Sequence, residues 1–218
     1  MKKGIIIGIL VLAAVVGAVC VAILKTDPYA GMDADSIIEA SEVTGFIGEK
    51  IVGDPDSAKV VIYEYADFGC SHCAEWNRKI NSLMEKYDGK IALVFQSYDI
   101  GQFQNSLRAA SAATAAAMQG HFGEYKDLLY SNQAEWFYAE GAELTELLLR
   151  YFEEASGGTG DVDKFQTDVK SSAVRTRLKF EQNMGKKVGL AGTPTFRIDG
   201  EAVSLSELVE TIERKVEE

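Results

Sequence analysis

Two thiols stand three residues apart in the segment Phe68-Gly69-Cys70-Ser71-His72-Cys73. On the first turn of a helix such a pair can close a disulfide, and the unsatisfied backbone N–H groups there stabilise a thiolate on the first sulfur. Cys70 is thereby predicted to be the nucleophile and Cys73 its resolving partner. His72 adds a donor and, when charged, a cation beside the same sulfur, so the Ser71-His72 pair tunes thiolate acidity and potential. A couple whose reduced form is stabilised in this way tends to give its disulfide away. Structural zinc would need four ligands, whereas the third cysteine, Cys20, lies in an apolar N-terminal run and the second histidine, His121, lies far along the chain. A Cu(I)-handling site made of Cys70, Cys73 and His72 would need only two or three soft ligands. It stays open, although nothing rich in Met or His accompanies it.

The elements around this pair are readable from pattern. Val60, Val61, Ile62, Tyr63 and Tyr65 form a β-branched and aromatic run with little alternation, which predicts a central strand covered on both faces. After Cys70, the residues Trp76, Ile80, Leu83, Met84 and Tyr87 recur at helical spacing until Asp88-Gly89. Ile91 to Phe95 is a second buried strand, so strand, helix and strand predict a right-handed crossover with parallel pairing. From Phe103 to about Met184 the signals are helical: Ala109–Ala117, Phe122–Tyr130, Glu143–Phe152 and Val162–Met184, with Gly157 to Gly160 as a connection. Thr195–Ile198, Asp199-Gly200 and Ala202-Val203 read as a hairpin. Ser204 with Glu207 reads as a capping box opening a last helix with the stripe Leu205, Leu208, Val209, Ile212 and Val216. Glu64 interrupts the first strand six residues before Cys70, and its apolar neighbours favour a buried carboxyl over a solvated edge position.

These features in this order resemble the DsbA-like thiol:disulfide oxidoreductases of the thioredoxin superfamily, over roughly residues 45 to 218. The resemblance rests on the strand before Cys70, the C-x-H-C centre, the all-helical insertion (about 103–186) and Gly192-Thr193-Pro194-Thr195-Phe196 before the last hairpin. It implies an α/β, thioredoxin-like fold with a helical insertion. It also implies that Pro194 is cis beside the cysteines, that Thr193 offers backbone bonds to a substrate peptide, and that Glu64 is an acid beneath the sulfurs able to relay protons. On its residues alone, Pro194 reads equally as a proline at a strand start. Ser71 stands where the strongest oxidases of the family often carry proline, which leaves the oxidising strength open. The activity implied is dithiol oxidation of exported proteins, with reoxidation by a quinone-linked membrane partner of the DsbB or VKOR type and no metal or organic cofactor. A reductase or isomerase using the same cysteines is the enzymatic alternative.

The N-terminal segment and the charge set the expected location. Gly4 to Leu24 is an apolar run without a charge or proline, flanked by Lys2, Lys3 and Lys25. At about 1.5 Å per helical residue it covers roughly 30 Å, a bilayer hydrocarbon core. It is expected to be a retained transmembrane helix, preceding the thioredoxin-like domain, with the N-terminus cytoplasmic and the rest extracytoplasmic. Residues 1–25 are then stub and anchor, 26–44 a tether with a short helix near Asp35 to Ala40, and 45–218 the domain. With 22 Lys+Arg against 33 Asp+Glu and a net charge of -11, a nucleic-acid partner is excluded on electrostatic grounds.

Overall fold

The computed structural model describes residues 50–218. The expected anchor with Cys20, the tether and its short helix, and the domain start near Gly45 lie outside them. Among the described residues no helix is long and apolar enough to cross a membrane.

Strand β2 (Val60–Ala66) leads into α1 (Ser71–Lys86) and then β3 (Ile91–Ser97), and the two strands pair in parallel from Val60↔Ile91 to Ala66↔Ser97. The hairpin β4 (Thr195–Ile198) and β5 (Glu201–Val203) joins antiparallel on the other side of β2. A two-residue strand, β1 (Ile51–Val52), pairs antiparallel with β3 and completes a mixed sheet of order β1-β3-β2-β4-β5. Val60, Ile62 and Glu64 alternate onto one face, as strand geometry requires. The first two join Trp76, Ile80 and Leu83 of α1 and Leu208, Ile212 and Val216 of the last helix, α8 (Leu208–Glu217), in one core cluster. Burying a side chain such as Ile80 contributes about 2 kcal/mol.

Between β3 and β4 the chain is helical, as expected, over α2 (Ser106–Ala117), α3 (Phe122–Ser131), α4 (Gln133–Trp136), α5 (Gly141–Ala155), α6 (Val162–Asp168) and α7 (Ser172–Lys187). The Ala-rich run of α2 is buried with the aromatic residues of α3 and α5 in a second core. Two local expectations are corrected. The Val162–Met184 stretch is two helices, because Ser171 caps α7 by accepting from the Val174 N–H at 3.1 Å. The last helix begins at Leu208 rather than after Ser204: the Ser204 hydroxyl donates to the Glu207 carboxylate at 2.6 Å instead of capping a backbone N–H. Leu205 and Val209 consequently stay exposed at the edge of the expected stripe.

A buried ionic cluster ties the beginning of this domain to α7. Lys50, fully buried, donates to Glu181 at 2.5 Å, Ser97 at 2.7 Å and Thr114 at 3.3 Å, while Arg177 pairs with Glu181 at 2.8 Å. Burial pushes the Lys50 ammonium down to about 8 against the pull of Glu181. Removing one member would strand a buried charge, the costly way to break such a cluster.

Candidate active site

The turn that carries β2 into α1 is built by Asp67. Its carboxylate, 2% exposed, accepts from the Gly69 N–H at 2.9 Å, from the Ser106 hydroxyl and from the Ile100 N–H at 3.2 Å. Burial pushes its acidity toward the neutral form, and these donors oppose that push. A Cβ at residue 69 would overlap Phe103 and Ser106, so glycine is required by close approach. Phe68 stacks on Phe95 with centroids 5.1 Å apart, and its carbonyl accepts from Gln133 at 2.6 Å. Sequence reasoning missed Asp67 and Ser106. The Asp-x-Gly pattern of an Asx-type turn just before the thiol was the available signal for the first; Ser106 gave none.

This turn leaves Cys70 at the N-cap of α1 and Cys73 one turn further on, both as buried free thiols. The Cys73 thiol donates to the Cys70 sulfur, the largest influence on it. The N–H groups of Cys73 and His72 act in the same direction against the cost of burial, and the Cys70 thiol is pulled down to about 5. Cys73, fully buried, is pushed far above the ordinary thiol range, first by burial and then by its bond to Cys70. The two sulfurs are therefore opposites: one a stable thiolate, the other a strong proton holder.

Ser71 and His72 are exposed on the first turn. What residue 72 contributes among the leading influences on Cys70 is its backbone N–H. Alanine at His72 keeps that donor and removes only the imidazole. The pH midpoint of Cys70 alkylation should rise in His72→Ala yet stay below the ordinary thiol value of about 8.5. An unchanged midpoint would remove the imidazole from the account.

Thr193 and Pro194 come to the same place from the other end of the chain, just before β4. The Thr193–Pro194 peptide bond is cis, and the Cys70 sulfur lies 3.5 Å from the Thr193 carbonyl oxygen. Glu64 is buried, neither carboxyl oxygen has a hydrogen-bond partner, and its charge acts on Cys73. Burial pushes this carboxyl up to about 7 despite the attraction of Lys126. The structure thus brings Cys70, Cys73, Glu64, Thr193 and Pro194 together, with Ser71 and His72 on the outer turn. His121 lies elsewhere, at the start of α3 and edge-on to Phe152. Among the described residues no group of three His, Cys, Asp or Glu side chains could hold a metal.

A dithiol at a helix N-terminus facing a cis-proline loop is set for thiol–disulfide exchange, and the thioredoxin family model matches residues 47–218. The chain belongs to the thioredoxin family. A probable disulfide bond formation protein D of Bacillus anthracis is 26% identical over 208 residues, covering 92% of this chain and 88% of that protein. The Na(+)/H(+) antiporter NhaA 3 of Salinispora tropica is 30% identical over 176 residues, or 77% of this chain, but the chain spans only 25% of the antiporter's length. Among solved structures, oxidised BdbD from Bacillus subtilis superposes with a TM-score of 0.62 at 16% identity, over 78% of this chain and 94% of that one. The fold is that of DsbA-type members of the family.

Proposed function

We propose that this thioredoxin-family protein is a thiol:disulfide oxidoreductase that donates the Cys70–Cys73 disulfide to exported proteins. The observation that carries this reading is the placement of Cys70 at the N-cap of α1, against the cis Thr193–Pro194 loop and one turn before fully buried Cys73, which pulls the Cys70 thiol down to about 5 and pushes Cys73 far above the ordinary range. A stabilised Cys70 thiolate favours the reduced dithiol, and a couple that prefers to be reduced oxidises others. The name of the Bacillus anthracis relative, a probable disulfide bond formation protein, agrees with it.

In the proposed exchange a substrate thiolate attacks the Cys70 sulfur, forming a mixed disulfide while the Cys70–Cys73 bond breaks and its electron pair passes to Cys73. The proton affinity of buried Cys73 draws in a proton, for which Glu64, half-neutral at about pH 7, is the buried donor at hand. A second substrate thiolate attacks the substrate sulfur, releasing Cys70 as a thiolate; the more acidic a thiol, the better its thiolate leaves. The substrate leaves with a disulfide and the protein with one thiol and one thiolate. Thr193, beside Cys70, would offer its backbone to the substrate peptide, with Pro194 shaping that loop. Reoxidation would fall to a quinone-linked membrane protein of the DsbB or VKOR type. Gly4 to Leu24 would hold the domain on the outer face of the cell membrane.

The oxidised protein, mixed with reduced and unfolded ribonuclease, should restore ribonuclease activity, and Cys70→Ser should not. Failure to oxidise ribonuclease together with catalysis of insulin reduction would replace this reading by the reductase one.

A further inference from the structure

Two cavities adjoin along α2, and the residues of the dithiol site line neither of them. The larger, about 530 Å³, lies between α2, α7 and the loop after β3, with Leu107, Ser111, Leu178 and Gln182 among its walls. The smaller, about 330 Å³, lies between α2, α5 and α6 over Ala112, Leu148 and Phe165. Ser111 lines both, so the two form one groove.

The sequence makes this trough. Leu107, Arg108, Ser111 and Ala112 fall on one side of α2 at helical spacing, and the small Ser111 and Ala112 leave room beside their long neighbours. The Ser111 hydroxyl turns back to the Leu107 carbonyl at 2.8 Å, which takes it out of the floor. Under the smaller cavity Phe165 stacks on Phe152 with centroids 4.1 Å apart. At the other end Gln182 pins the loop after β3, accepting from the Asp99 N–H at 3.0 Å and donating to the Asp99 carbonyl at 2.8 Å. The next residue, Ile100, is held by Asp67, so the groove ends against the turn that carries Cys70.

Arg108, Lys170, Arg175 and Lys179 rim the groove, and all four are exposed. Among the described residues none of them forms an ion pair, whereas Lys79, Lys86, Arg150 and Lys164 each pair with a carboxylate. The carboxylate in the lining, Asp99, accepts from the Gly101 N–H at 2.7 Å. In a chain of net charge -11, four unpaired cations around an apolar trough make a local positive field on a surface that otherwise repels anions. The groove is also elongated: Arg175 to Gln182 alone span about 10 Å at about 1.5 Å per residue, the reach of about three extended residues. Alternating apolar and acidic side chains on an extended chain point to opposite sides, which suits an apolar floor under a cationic rim.

We propose that this groove is a docking site for an extended acidic segment of a partner polypeptide, whose apolar side chains enter the two cavities and whose carboxylates meet Arg108, Lys170, Arg175 and Lys179. It goes beyond the exchange chemistry and holds whether the dithiol donates or removes disulfides.

A fluorescein-labelled peptide of alternating Leu and Asp should gain anisotropy on titration with the full-length protein in an uncharged detergent. Raising the salt from about 0.05 M to about 0.5 M should weaken this binding. Arg108→Gln combined with Lys179→Gln should weaken it about fivefold, the loss expected for two exposed pairs. Leu107→Ser should weaken it at low and high salt alike. These three residues are exposed, so their replacement spares the core, and circular dichroism checks each variant. Lys86→Gln combined with Arg214→Gln removes the same charge elsewhere and should leave the affinity nearly unchanged. No binding, equal binding of a peptide with Ser in place of Asp, or an equal loss in the two double variants overturns the proposal. Self-association of the chain that Leu107→Ser abolishes would assign the groove to a second copy and overturn it as well.

Discussion

Replacing Cys73 by alanine should raise the pH midpoint of Cys70 alkylation from about 5 by about one to two pH units, the largest change in thiol acidity expected from a single substitution at the site. The Cys73 thiol is the strongest influence on the Cys70 sulfur, and alanine deletes it while leaving the N–H groups of residues 72 and 73 in place. Those remaining donors, with the N-terminus of α1, keep the midpoint below that of an ordinary thiol. Cys73→Ser retains a hydroxyl donor and should lie between the two. Rates of iodoacetamide alkylation against pH provide the measurement. A midpoint unmoved in Cys73→Ala would mean that the helix terminus alone sets the acidity of Cys70.

Glu64→Gln should stabilise the folded protein, and only where the carboxyl would be charged. The folded-state value of about 7 lies above the ordinary 4.5, so ionising Glu64 opposes folding. The penalty is absent below pH 4.5, grows as the pH rises, and is complete above 7, where it reaches about 3 kcal/mol at about 1.4 kcal/mol per pH unit. Glutamine has no charge to lose. Urea unfolding of the oxidised proteins, in which the thiols do not titrate, should show the variants nearly equal at pH 4 and the Gln protein clearly more stable at pH 8. An equal difference at both pH values would show that Glu64 does not titrate in the folded protein as described. That such a costly acid sits under the sulfurs is itself an argument that it serves exchange rather than stability.

The parts of the site carried by hydrophobic pattern were legible, and the parts carried by buried polar groups were not. The run Val60 to Tyr65, the helical spacing from Trp76 to Leu83 and the strand Ile91 to Phe95 announce their burial, and together they place Cys70 at a helix N-terminus. Glu64 could be singled out because a lone acid breaks an apolar strand. Lys126, Lys50 and Glu181 could not, because on a helix or at a strand entry a charged residue is ordinarily a surface residue. Their burial depends on partners at sequence separations such as that between Lys50 and Glu181. β1 is too short to show any alternation, and the start of α8 was misplaced because Ser204 has the residue type of a cap while its hydroxyl turns to the Glu207 side chain.

The central claim is that the asymmetry between Cys70 and Cys73 makes the pair a disulfide donor, and the reduction potential of that couple tests it most directly. Equilibration with glutathione buffers at pH 7 should give a value nearer the about -120 mV of DsbA than the about -270 mV of thioredoxin, because thiolate stabilisation at Cys70 favours the reduced form. A value at or below that of thioredoxin would contradict disulfide donation and make the same two cysteines the centre of a reductase.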